Sequence, residues 1–207
     1  MKRINLTLAL LGAIAIVPAA MAQEAPDHRF AVVGGYALSE PTGDASIAGG
    51  KADLDGEGAA TLSASWYATD NIAIEAWGTD KFGHRVNGPN GKAGSVDAQP
   101  YALSGQYHFG TSEQTVRPYV GLGYYEMNYD GETVEATGPL AGQRLGVETA
   151  KGAMATVGAD VKLSDRWFVR GDVRYLHGDS DLSLDGEKVG KADTSPVIVG
   201  LGVGARF

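Results

Sequence analysis

Apolar and polar side chains alternate along most of this chain with a period of two. Ala60, Leu62, Ala64 and Trp66 share one phase; Thr61, Ser63, Ser65 and Tyr67 share the other. The same sorting sets Tyr101, Leu103, Gly105, Tyr107 and Phe109 against Ala102, Ser104, Gln106 and His108. It sets Ala155, Val157, Ala159, Val161 and Leu163 against Thr156, Gly158, Asp160 and Lys162. In the last segment Val197, Val199, Leu201, Val203, Ala205 and Phe207 face away from a row that is mostly glycine plus Arg206. Period two over this length is the pattern of strands with one apolar and one polar face. Eight such segments lie near 28–38, 59–68, 71–82, 97–109, 116–129, 152–163, 167–178 and 194–207.

The connections alternate in length. Thr69-Asp70-Asn71, Gly110 to Thr115 and Ser164-Asp165-Arg166 are short; about 39–58, 83–96, 130–151 and 179–193 are long and rich in Gly and Asp. Short turns at one end and long loops at the other are the rhythm of an outer-membrane barrel, and strands of about ten residues suit a tilted span. The pattern therefore predicts an all-β fold: an eight-stranded antiparallel up-and-down transmembrane barrel with short periplasmic turns and long extracellular loops.

Aromatic placement sets which face meets lipid. Trp167 and Tyr175 share the apolar phase of WFVRGDVRYLHGD, eight residues apart, and Tyr101 and Phe109 repeat the interval. Eight residues of strand rise about 27 Å, or roughly 21 Å after a 40° tilt. That matches an apolar band of about 25 Å with aromatic girdles at its edges. Trp66, Tyr107, Phe109, Trp167 and Phe207 lie beside a short turn or the chain end, and are assigned to the periplasmic girdle; Tyr101 and Tyr175 take the other edge. Phe168, Arg170, Asp172 and Arg174 then face the lumen. A three-residue turn at Ser164 to Arg166 puts Asp160 opposite Arg170, and opposite charges so placed attract. The turn at Thr69 to Asn71 puts Glu75 opposite Ser65 and Trp77 opposite Ser63. The expected lumenal charge cluster is Asp160, Arg170, Asp172, Arg174, Arg206 and Glu75, with Lys162 at its margin.

Composition narrows the rest. Lys2 and Arg3 precede an apolar run from Leu6 to Val17, and Ala20-Met21-Ala22 fits a small-residue cleavage pattern. The expectation is an exported protein with a cleaved signal peptide over 1–22 and a barrel domain over 23–207. The run is shorter than the roughly 20 residues a helical anchor needs. The net charge of −8 becomes about −10 once Lys2 and Arg3 leave, and an acidic surface argues against nucleic acid. With no cysteine, disulfides, lipid attachment and thiol nucleophiles are excluded.

Three patterns resemble chemistry without its context. Gly200-x-Gly202-x-Gly204 lacks the following helix that a dinucleotide loop requires. Asp181-x-Ser183-x-Asp185-Gly186 lacks the late bidentate Glu of a calcium loop, because position 192 is Ala. His28, His84, His108 and His177 are scattered without metal-ligand spacing. A catalytic set of His84 with Ser39, Ser46 or Ser95 has no support in spacing. The expectation is a protein that is not an enzyme and has no cofactor or metal.

Four stretches carry a resemblance. They are YATDNIAIE from Tyr67, KFGHRV from Lys81, QYHFG from Gln106 with RPYVGLGYY from Arg117, and DVRYLHGDSDLSLDGEKVG from Asp172. Their order and spacing resemble the outer membrane protein W (OmpW) family over about residue 28 to Phe207. The chain departs from that family in having Gln99-Pro100-Tyr101 where a Pro-Pro pair often enters strand four, and in an aromatic-poor last strand. The resemblance implies the outer membrane of a Gram-negative bacterium, with outer-membrane lipids and lipopolysaccharide as surroundings. It also implies passive uptake of small, mainly hydrophobic solutes through an apolar outer lumen with a lateral exit. Trp77 is the apolar lumenal candidate by parity; Leu54, Leu140 and Leu145 are loop candidates. Phe207, as a terminal aromatic, implies recognition by the barrel-assembly machinery. The alternative reading is a closed barrel whose loops serve adhesion or envelope integrity without transport.

Overall fold

The computed structural model describes residues 29–40, 45–47, 50–55, 58–88, 91–134, 145–147, 149–184, 187–193 and 195–207. The expected leader over 1–22 lies outside the described residues, as do Leu140 and the side chains of Leu54, Leu145, His84, Ser46, Ser95, Asp181 and Ser183.

Eight strands close into a ring. In chain order they are β1 (Phe30–Glu40), β2 (Gly58–Tyr67), β3 (Ile72–Thr79), β4 (Gly91–His108), β5 (Val116–Val134), β6 (Ala150–Lys162), β7 (Trp167–Leu184) and β8 (Val197–Arg206). Each pairs antiparallel with its chain neighbours, and β1 pairs with β8 from Ala31 opposite Arg206 to Glu40 opposite Val197. Phe30 and Phe207 exchange backbone bonds at 3.0 and 2.8 Å, which ties the two ends of the described barrel together. Around the ring each of the eight strands has a neighbour on both sides, so the paired backbone groups are satisfied without water.

Side chains of the Thr69 and Ser164 turns hold the short-turn end. Thr69 Oγ1 accepts from the amides of Asn71 and Ile72, while Asn71 Nδ2 donates to the carbonyls of His108 and Gly110 on the next turn. Gly110 has φ of 71°, a left-handed conformation that side chains other than glycine rarely adopt. Ser164 Oγ accepts from the Trp167 amide.

The other end differs from expectation. Much of the Gly- and Asp-rich sequence assigned to long loops is strand. Ala45–Ile47 pairs Gly50–Asp55, which pairs Phe82–Gly88, and Phe82–Gly88 pairs the first part of β4. Leu145–Val147 and Glu187–Asp193 both pair the far part of β7. Gly and Asp weaken a strand only modestly, and continuing a ladder already in register overrides that preference.

The barrel is inverted relative to a water-soluble fold. Leu103, Leu122, Val157, Val173, Val199, Leu201 and Val203 point outward and are exposed. Arg170 and Arg174 are among the largest fully enclosed side chains. Trp66, Tyr107, Phe109, Trp167 and Phe207 stand outward at the short-turn end, joined by Phe30, while Tyr36, Tyr124 and Tyr175 stand outward nearer the other. Tyr101 is partly covered, and its hydroxyl accepts from Asn128 Nδ2.

Candidate functional site in the barrel interior

The interior has three levels. At the short-turn end Ala31, Val33, Tyr67, Ala73 and Phe168 pack together. Glycine makes this possible on β8: a Cβ on Gly204 would lie 2.3 Å from the Phe168 ring. Gly158 likewise leaves room for Tyr119, whose ring a Cβ would meet at 2.7 Å.

The middle level is ionic. Asp160 on β6 and Arg170 on β7 are register partners, and the guanidinium grips the carboxylate at both oxygens, Nε to Oδ1 at 2.7 Å and Nη2 to Oδ2 at 3.0 Å. Arg170 Nη1 also donates to Glu75 Oε2 at 2.8 Å. Arg174 Nη1 donates to the other oxygen of Glu75 at 2.8 Å, while its Nε and Nη2 reach Asp172 at 3.2 and 3.1 Å. Arg206 Nη2 donates to Asp160 Oδ2 at 2.9 Å, and Tyr119 Oη to Asp172 at 3.2 Å. Glu75 sits on β3 and both its arginines on β7, directly across an eight-strand ring, so the network ties opposite walls. The guanidinium planes also lie over rings: Arg170 over Tyr119 at 4.7 Å, Arg206 over Phe168 at 4.8 Å and Arg174 over Trp77 at 4.5 Å. Bidentate pairs and ring faces together offset the cost of enclosing charge.

The structure thus brings Glu75, Asp160, Arg170, Asp172, Arg174 and Arg206 into one connected network. Lys162 stands apart, at the short-turn rim with Glu113 and Asp165. His108 is buried, stacked on Tyr119 with centroids 4.8 Å apart, and meets Gln106 at 3.1 Å. Sequence reasoning missed Arg117 and Tyr119. Their signal was the same alternation: Arg117, Tyr119, Gly121, Tyr125 and Met127 hold one phase of β5, with Val120, Leu122 and Tyr124 on the other.

Above the ions, toward the outer end, the filling turns apolar. Trp77, Phe82, Tyr125, Met127, Met154, Leu176 and Ile198 form one cluster with Ala37, Ala59, Ala98 and Ala150. Trp77 is its floor, against Arg174. The wall beside this cluster has a fault. Between β3 and β4 the ladder runs to Gly78 opposite Tyr101 and resumes at Phe82 opposite Ala98. Three residues, Thr79 to Lys81, therefore face two, Gln99 and Pro100, and proline carries no N–H for the ladder. The Gln99 side chain bridges the fault, its Nε2 donating to the Thr79 carbonyl at 3.0 Å. Asp80 turns its amide to Ala60 on β2 instead.

A family model described as the OmpW family matches residues 29–207. Outer membrane protein W of Vibrio cholerae is 32% identical over 123 residues, covering 56% of this chain and 57% of that protein. The chain thus spans less than two thirds of that relative's length. The crystal structure of OprG from Pseudomonas aeruginosa superposes with a TM-score of 0.73 at 22% identity, over 87% of this chain and 96% of that one. The solution structure of Escherichia coli outer membrane protein W gives 0.59 at 26% identity, over 87% and 98%.

Proposed function

The chain belongs to the OmpW family of outer-membrane barrels, and from that premise we propose that it is a passive conduit for small, largely apolar solutes. One observation carries the reading: a packed apolar cluster lies outward of a closed ionic network, beside a fault in the wall. A solute entering from outside meets Trp77, Phe82, Met127, Met154 and Leu176. Below Trp77 it meets enclosed arginines and carboxylates, which no apolar molecule can solvate or displace cheaply. The easier exit is sideways, where Thr79 to Lys81 and Gln99-Pro100 interrupt the ladder and the Gln99 amide reaches across the gap. Leaving there delivers the solute to hydrocarbon without crossing the ionic level.

The test closes that exit. The native chain has no cysteine, so Asp80→Cys with Gln99→Cys adds one pair across the fault. With purified barrels in proteoliposomes, uptake of a labelled apolar solute falls several-fold when the pair is oxidised and recovers on reduction. Uptake indifferent to the cross-link rejects this exit. No flux through a correctly inserted native barrel rejects the conduit, and favours a closed surface module.

A further inference from the structure

The short-turn end holds a cavity of about 550 Å³, open to that side and floored by Tyr67, Arg117, Asp160, Phe168 and Arg206. It lies below the ionic network and plays no part in the path proposed above. Its floor contains three enclosed polar atoms without a hydrogen-bond partner among the described residues: Arg117 Nε, Arg206 Nε and Tyr67 Oη. Arg117 is 2% exposed and Tyr67 6%.

The charge is also unbalanced. The guanidiniums of Arg170, Arg174 and Arg206 pair with the carboxylates of Glu75, Asp160 and Asp172, and no ion pair among the described residues includes Arg117. Asp160 is the register partner of Arg117, but its oxygens are taken by Arg170 and Arg206. What Arg117 has is the backbone carbonyl of Asp70, to which Nη2 donates. At the rim, Glu113 and Asp165 are both held by Lys162. The Asp160 and Asp70 carboxylates act on Arg117 only through space; an enclosed guanidinium with no carboxylate in hydrogen-bond contact is costly, and an anion with hydrogen-bond acceptors lowers that cost.

We propose that this periplasm-facing cavity is an anion-binding site, in which Arg117, Arg206 and the Tyr67 hydroxyl hold one small oxyanion, a carboxylate or a phosphate. All three atoms are covered, so the anion takes up the two Nε–H groups and Tyr67 Oη as the Arg117 and Arg206 side chains turn toward the cavity. Phe168 lines the cavity too, so a carboxylate with a short apolar body fits as well as a bare anion.

The orphaned donors are themselves the reporters. In the native barrel refolded in lipid, the arginine Nε–H resonances are followed by NMR while sodium phosphate or sodium acetate is added at constant ionic strength. The expected result is saturable movement of the Arg117 and Arg206 signals. Phosphate binding tighter than acetate marks a phosphoryl ligand, and the reverse marks a carboxylate. Arg117→Gln weakens the anion by about tenfold or more, read at Arg206, because a charge-assisted bond is lost. Arg117→Lys retains part of the affinity. Tyr67→Phe, which keeps the ring and removes only the hydroxyl, weakens binding several-fold and serves if Arg117→Gln fails to fold. Movement that never saturates, or an affinity unchanged in both Arg117→Gln and Tyr67→Phe, overturns the proposal.

Discussion

Glu75 is the residue on which the interior turns. Its two oxygens take one arginine each, Arg170 and Arg174, and it is completely enclosed. Glu75→Gln keeps the shape and removes the charge, so two guanidiniums are left sharing the remaining carboxylates. Removing one partner of a buried ion pair costs about 3–5 kcal/mol. Urea unfolding of the barrel in lipid vesicles should show a loss of that order, and a loss below about 1 kcal/mol would mean the network is solvated and weak. The Asp160–Arg170 pair was legible in the sequence because the two residues flank a three-residue turn, which fixes their register. Glu75 was placed on the inner face by the same logic, but its partners lie across the ring, where only closure brings them. Arg117 shows the opposite limit. Its phase was readable, yet its lack of a counter-ion depends on how Asp160 divides its two oxygens.

At the scale of the strand, the outward face is fixed by solvent preference. Val173 on β7 pairs Val157 and Val199 on its two neighbours, making an apolar row near the middle of the span. Val173→Arg should destabilise the barrel by about 2–4 kcal/mol in a bilayer, measured by the same unfolding, and less in a thin detergent shell where the charge reaches water. Equal loss in both media would argue that the row is packed core and not lipid-facing. The phase of the strands was legible because the short turns at Thr69 to Asn71 and Ser164 to Arg166 carry their own hydrogen-bonding side chains, and so fix where alternation begins. The outer ends were not. Gly and Asp clusters signal turns when taken alone, but at Gly91–Ala98 and Ser180–Leu184 they continue ladders set further down. The fault between β3 and β4 was visible only as the isolated Pro100; that three residues oppose two there is a property of the pair, not of either strand.

Across its middle the described barrel is filled, not open. Eight strands enclose little more than their own side chains. Here the middle level is spanned from β3 to β7 by Glu75, Arg170 and Arg174, with Trp77 laid over Arg174. Such a barrel should insert into a planar bilayer without passing ions. Emptying the bridge with Glu75→Ala and Arg174→Ala together removes one charge of each sign, so the net charge of the interior is unchanged while it loses its width of filling. Stepwise conductance should then appear, and it should fall as larger ions replace small ones. Heat-modifiable gel mobility identifies the folded fraction, so that leakage from misassembled protein is excluded. Ion currents of equal size in the native barrel would show that the ionic level is a lined pore, and the case for a sideways exit would lose its reason, because the straight route would already be open.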